Sequence, residues 1–117
     1  MTVKKLISAD SHFVEPADLW EKRVDAKYKH LAPRVVKEGE VHRWIVGDNV
    51  NLGSVGAPSQ AGRRYIDLDS LEMSASLDEV PSAAYDPDQR VAAMAEDGVE
   101  AEIAYSTIGT RIYTSEV

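Results

Sequence analysis

Cysteine is absent from the chain. That rules out disulfides, thiolate metal sites and a cysteine nucleophile, and it fits a reducing cytoplasmic setting. No apolar run approaches the roughly 20 residues of a membrane span, so no membrane partner is expected. Positive charge is scarce in the second half. The formal charge is +3 through Ile66 and −10 from Asp67 onward, giving −7 for the whole chain. Recognition of nucleic acid needs a concentrated basic surface, and nucleic acid is therefore not an expected partner. The acidic half reads as a solvated face or as a docking surface for a basic partner. What is present is ordinary globular material: 117 residues, 44% hydrophobic and 28% charged, enough for one domain.

The most informative stretch is Ile7-Ser-Ala-Asp-Ser-His-Phe-Val-Glu-Pro16. A short apolar run opens it, and polar residues arrive only at its end, as in a strand whose last residues reach a site. Side chains alternate along a strand, so Leu6, Ser8, Asp10 and His12 are expected on one side and Ile7 and Ala9 on the other. Asp10 and His12 would then offer a carboxylate and an imidazole to one place. Zn²⁺, Mn²⁺ and Fe²⁺ accept such a mixed pair, whereas Mg²⁺ and Ca²⁺ want more oxygen. A turn closed by Asp10 or Ser11, with His12 in an ordinary hydrogen bond, is the other reading of the same residues. The end of a first apolar strand is where α/β barrels and open α/β sheets place their chemistry.

Glu15, Pro16 and Asp18 suit the start of a helix carrying Leu19, Trp20 and Val24,. Trp20 is either core or the mouth of a substrate pocket. One more helical turn is expected over Asp25 to Leu31, ended by Pro33, with His30 on the surface. Arg34–Lys37 and Val41–Val46 flank Glu38-Gly-Glu40 and read as a hairpin, with His42 and Trp44 sharing a face,. Gly47 to Arg64 reads as a loop and a candidate lid, where Arg63 and Arg64 sit in solvent or pair with an anionic substrate. Asp67 to Ala84 is expected to be coil with some helix. Asp86 then caps a helix with Pro87 at its first position, Val91, Met94 and Ala95 as its buried stripe, and Gly98 as its stop. Val99 to Tyr105 alternates into a second strand, and Ser106 and Thr107 fall at its end, as turn residues or site residues. Strand, insertion, helix and strand make one extended βαβ unit.

Two blocks resemble one family. Ile7-Ser-Ala-Asp-Ser-His-Phe-Val-Glu-Pro-Ala-Asp-Leu-Trp20 looks like the opening of the amidohydrolase-related proteins, in the branch of the aminocarboxymuconate-semialdehyde-decarboxylase-like enzymes. The likeness returns over Asp86 to Tyr105, where the family runs a helix ending in Asp-Gly into its second barrel strand. The resemblance implies an α/β fold, the N-terminal part of a (β/α)₈ TIM-type barrel. Residues 1–117 would form its first βαβ unit, with a hairpin and loop inserted at about 34–64. The more familiar family pattern on the first strand is His-x-His; Asp10 stands in its first place here.

The resemblance further implies a divalent metal, Zn or Mn, with Asp10 and His12 as its first two ligands. Trp20, Arg63 and Arg64 are the candidates for substrate contact. The family takes a further His from a middle strand and an Asp near the last strand, so catalytic residues are expected beyond residue 117. A barrel takes about 250 residues; the chain is thus expected to be inactive alone and to need a homo-oligomer or a complementing chain. Complete, it would be a hydrolase or a non-oxidative decarboxylase of a small organic acid or related carbonyl compound. The alternative from another class is a non-catalytic fragment that acts as an association module through exposed strand edges.

Overall fold

The structure is a computed structural model and describes residues 4–58 and 76–115. Strand β1 spans Leu6–Phe13. The chain then turns through Pro16, whose carbonyl accepts from the Leu19 N–H at 3.0 Å, into a short helix α1, Leu19–Arg23. The helix thus begins later than Glu15-Pro16 suggests. Asp18 stands at its cap without a capping bond and instead pairs with Lys22, which holds the Asp18 carboxyl below the usual carboxylate range. A 3₁₀ turn over Ala26–Leu31 follows, started by the Asp25 side chain accepting from the Lys27 N–H at 3.3 Å.

The expected hairpin forms from β2, Arg34–Glu38, and β3, Val41–Val46. The strands pair antiparallel from Arg34↔Ile45 to Glu38↔Val41, leaving Gly39 and Glu40 as a two-residue turn. Gly39 has φ +66°, a conformation that favours glycine at the first central position of such turns. A third strand, β4 at Val50–Ser54, pairs with the other edge of β3. This corrects the reading of Gly47 to Arg64 as loop throughout. The glycines that suggested a loop sit at the ends of a short pairing segment, and Leu52 within it is buried. Residues 59–75, which include the rest of that loop and the start of the acidic segment, lie outside the described residues.

Two 3₁₀ turns, Leu77–Glu79 and Ser82–Ala84, lead to α2, Pro87–Glu96. Asp86 caps α2 by accepting from the N–H groups of Asp88 at 2.9 Å and Gln89 at 3.2 Å. Gly98, at φ +70°, ends it. Strand β5, Val99–Ser106, then lies parallel to β1, and a final helix α3 runs over Thr107–Tyr113. Ser106 and Thr107 therefore open a helix and do not merely close a turn. The βαβ unit is present, with the three-stranded antiparallel sheet of β2, β3 and β4 inserted between β1 and α2.

The core lies on the inner face of that inserted sheet. Trp44, Val46, Leu52, Val55, Val80 and Ile108 are buried together, and Trp20, Val35, Leu77, Ala84 and Ile112 pack around them. His42 shares this face and ties it to the following segment, its Nδ1 accepting from the Leu77 N–H at 2.8 Å. The α2 stripe differs from expectation. Val91 is 66% exposed and Ala95 is exposed too, while Arg90, Ala93 and Met94 are half-buried. The helix is rotated so that Arg90 reaches the sheet, which turns Val91 outward. We accordingly expect Ile108→Ala to lower unfolding free energy by about 2–5 kcal/mol and Val91→Ala by no more than about 0.5 kcal/mol. Equilibrium urea unfolding of the two variants checks this; comparable losses would restore the Val91 stripe.

Candidate metal centre

The β1 strand is not regular, and its irregularity decides what its side chains face. Ser8 pairs with Glu102 and Ser11 with Ala104, so three steps on β1 match two on β5. An extra residue of this kind forms a β-bulge, which bends the strand and re-aims side chains. Ser8 and Ser11 consequently point to the same side, their hydroxyls 2.7 Å apart. This corrects the expected grouping of Ser8 with Asp10 and His12.

Asp10 and His12 do come together. Asp10 Oδ1 lies 3.3 Å from His12 Nε2, with both side chains well exposed. The His12 ring also leans on Tyr105, its register partner on β5, with ring centroids 5.9 Å apart and planes tilted by 41°. Ile7 at 71%, Ile103 at 54% and Tyr105 at 46% exposure leave apolar surface open on the strand pair. Neither β1 nor β5 has a second strand neighbour among the described residues.

The donor set suits a divalent metal in kind, and its 3.3 Å separation is equally that of an ordinary imidazole–carboxylate contact,. Zinc bonds imidazole nitrogen and carboxylate oxygen at about 2.0–2.2 Å, so two such ligands at tetrahedral angles stand about 3.3–3.5 Å apart. The observed separation falls in that range. Two ligands are fewer than a catalytic zinc site uses. No group of three or more His, Cys, Asp or Glu residues able to hold a metal occurs among the described residues.

Behind the pair runs a set of polar contacts that sequence reasoning missed. Arg90 forks onto Glu102, Nε to Oε1 at 2.7 Å and Nη2 to Oε2 at 2.9 Å. Its Nη1 donates to the His12 carbonyl at 3.0 Å and to the Ala83 carbonyl at 3.4 Å. The Arg90 hydrogen bonds hold the Glu102 carboxyl below its usual range; partial burial opposes this, and a bond from the Ser11 hydroxyl adds to it. Glu102 raises Arg90 in return. These residues line a cleft of about 370 Å³ under α2. A signal for Arg90 was available: from Asp67 onward the only cations are Arg90 and Arg111, set among twelve carboxylates.

Glu15, expected at the start of a helix, is only 2% exposed. Its Oε1 accepts from the Ser106 hydroxyl and from the Ile108 and Gly109 N–H groups at 3.0 Å each. Its Oε2 accepts from Ile108 at 3.1 Å. Beside it the Thr107 hydroxyl donates to the Phe13 carbonyl at 2.6 Å. Gly109 leaves room for this arrangement, because a Cβ there would collide with the Ser106 hydroxyl. Of the remaining site candidates, Trp20 packs against the core of the inserted sheet, and its indole N–H is buried without a partner among the described residues. Arg63 and Arg64 lie outside the described residues. His30 is exposed. No helix among the described residues is long and apolar enough to cross a membrane.

Comparison with known proteins adds the fold. No family model matches the sequence, and no curated protein matches it. Among solved structures the chain is similar to an amidohydrolase from Mycobacterium avium subsp. paratuberculosis K-10, with a TM-score of 0.63 and 20% identity. The match covers 93% of this chain and 32% of that one. The chain therefore shares its fold with part of that amidohydrolase and spans about a third of that protein's length.

The Glu102 pairing sets a pH dependence. A carboxyl whose folded pKa is depressed stabilises the fold above its unfolded value, about 4.3, and the contribution disappears as pH falls through the folded value. Stability should accordingly decline below about pH 5. Glu102→Gln should lower stability at pH 7 by about 1–3 kcal/mol and flatten the acid decline, as read by urea unfolding at pH 7 and pH 3. An unchanged acid limb in the variant would contradict this role for the pair.

Proposed function

We propose that this chain is the N-terminal portion of a metal-dependent barrel enzyme of the amidohydrolase superfamily. In this reading Asp10 and His12 supply two ligands to a divalent ion, Zn or Mn. The convergence of Asp10 Oδ1 and His12 Nε2 at 3.3 Å, on the open side of β1, carries the proposal. The amidohydrolase-related fold supports it, as do the sequence blocks at Ile7–Trp20 and Asp86–Tyr105.

Each residue has a part in the chemistry. Asp10 brings negative charge and oxygen donors, and His12 a neutral nitrogen donor through Nε2. Tyr105 leans on the His12 ring, and Ile103 lies on the same open face, where they offer apolar surface to a substrate. Asp10 and His12 would hold the ion, which when bound would supply Lewis-acid polarisation of a substrate carbonyl or carboxylate oxygen. Hydrolysis and non-oxidative decarboxylation of a small organic acid or carbonyl compound both use that polarisation, and the decarboxylase-like branch falls within the proposal. The remaining ligands, the proton-transfer group and the other barrel strands come from more of the same protein, from a second copy or from a complementing chain. The absence of cysteine favours a cytoplasmic setting,.

A second reading is an association module without metal chemistry. It draws on the exposed Ile7, Ile103 and Tyr105 and on the single-neighbour strands β1 and β5. Metal analysis separates the two. If the metal reading holds, Asp10→Ala and His12→Ala each reduce metal bound by the natural full-length protein by at least about tenfold. Unchanged metal content in both variants would leave the association module as the better account.

A further inference from the structure

We propose that Ser8, Ser11, Glu102 and Arg90 act as positioning residues that hold the bulged β1 strand so that Asp10 and His12 meet. The inference rests on the metal reading above and concerns how this chain prepares the pair.

The contacts form a bracket behind the strand. Ser8 bonds Ser11 across the bulge at 2.7 Å. Ser8 is the register partner of Glu102, Ser11 and Glu102 line the same cleft, Glu102 receives both prongs of Arg90, and Arg90 reaches back to the His12 carbonyl at 3.0 Å. Positions 8 and 12 are thereby tied to one carboxylate–guanidinium pair, by strand register and by the His12 carbonyl, Ser11 is tied to Ser8, and Asp10 lies between them. In an unbulged strand, residues three apart face opposite sides, and Ser8 could not bond Ser11. Breaking the bracket removes what holds the bulge, and the bulge sets where Asp10 points relative to His12. The planar fork of arginine meets Glu102 with two nitrogens and still leaves one for His12, a geometry that the point charge of lysine cannot reproduce. Groups that orient metal ligands without touching the ion typically change metal affinity by about 10–100-fold.

The test follows the His12 imidazole by NMR while the natural full-length protein is titrated with ZnCl₂. Ser11→Ala, which removes one small polar group at a half-buried position, and Arg90→Met should each raise the zinc concentration at half-saturation by about tenfold. Arg90→Lys should not restore it. Ile112→Ala, which loosens the packing around the core without touching the bracket, should leave it within about twofold. Should Arg90→Met fail to fold, Ser11→Ala and Arg90→Lys decide the question. Zinc affinity within twofold of the unsubstituted chain in the bracket variants, while His12→Ala abolishes the zinc-dependent shift, would overturn the positioning role and leave the metal reading standing. An equal loss in Ile112→Ala would overturn it as well, as a general effect of loosening. No zinc-dependent shift at His12 in the unsubstituted full-length protein would overturn the metal reading and this inference together.

Discussion

The buried carboxylate of Glu15 is the constraint on which the arrangement depends. It sits two residues past the end of β1 and accepts hydrogen bonds from Ser106, Ile108 and Gly109 at the start of α3. A buried carboxylate left without donors is strongly unfavourable, so the end of β1 and the end of β5 must stay together for the chain to fold. The positive N-terminal end of a helix is a favourable place for such a charge. With α3 held there, Ile108 and Ile112 enter the core of the inserted sheet, and Arg111 reaches the Leu52 carbonyl on β4. One side chain thus joins the parallel strand pair to the inserted antiparallel sheet.

The two arginines of the acidic half do related work. Arg111 links α3 to β4, and Arg90 links α2 to β5, to the end of β1 and to the turn at Ala83. Exposed ion pairs such as Lys22 with Asp18 contribute little,. Arg90 and Glu102 are mostly shielded and joined by two parallel bonds, a geometry that fixes direction as well as distance. The outcome is a strand pair supported on its α2 side and open on the other. On that open side an apolar face of Ile7, Ile103 and Tyr105 lies beside the carboxylate–imidazole pair.

Much of this was legible in the sequence, and the parts that were not have physical causes. Asp86 and Pro87 marked the start of α2 because caps and first-turn prolines act locally, within a few residues. The Gly39 hairpin and the alternation of β5 were readable for the same reason. Strand β4 was hidden because Gly47 and Gly53 read as loop residues, and only its pairing with β3 makes it a strand. Helix α3, Thr-Ile-Gly-Thr-Arg-Ile-Tyr, is rich in residues that favour strands; its cap comes from Ser106 and from Glu15, far away in the chain. Spacing placed Asp10 and His12 on one side correctly, yet misplaced Ser8, since a bulge depends on the partner strand. The role of Arg90, 78 positions from His12, required the fold.

The claim that matters most is that Asp10 and His12 grip one ion. Crystals of the protein grown with zinc, measured on both sides of the zinc absorption edge, test it directly. The account predicts an anomalous peak bonded to Asp10 Oδ1 and His12 Nε2 at about 2.0–2.2 Å. Zinc bound elsewhere, or to only one of the two side chains, would contradict it.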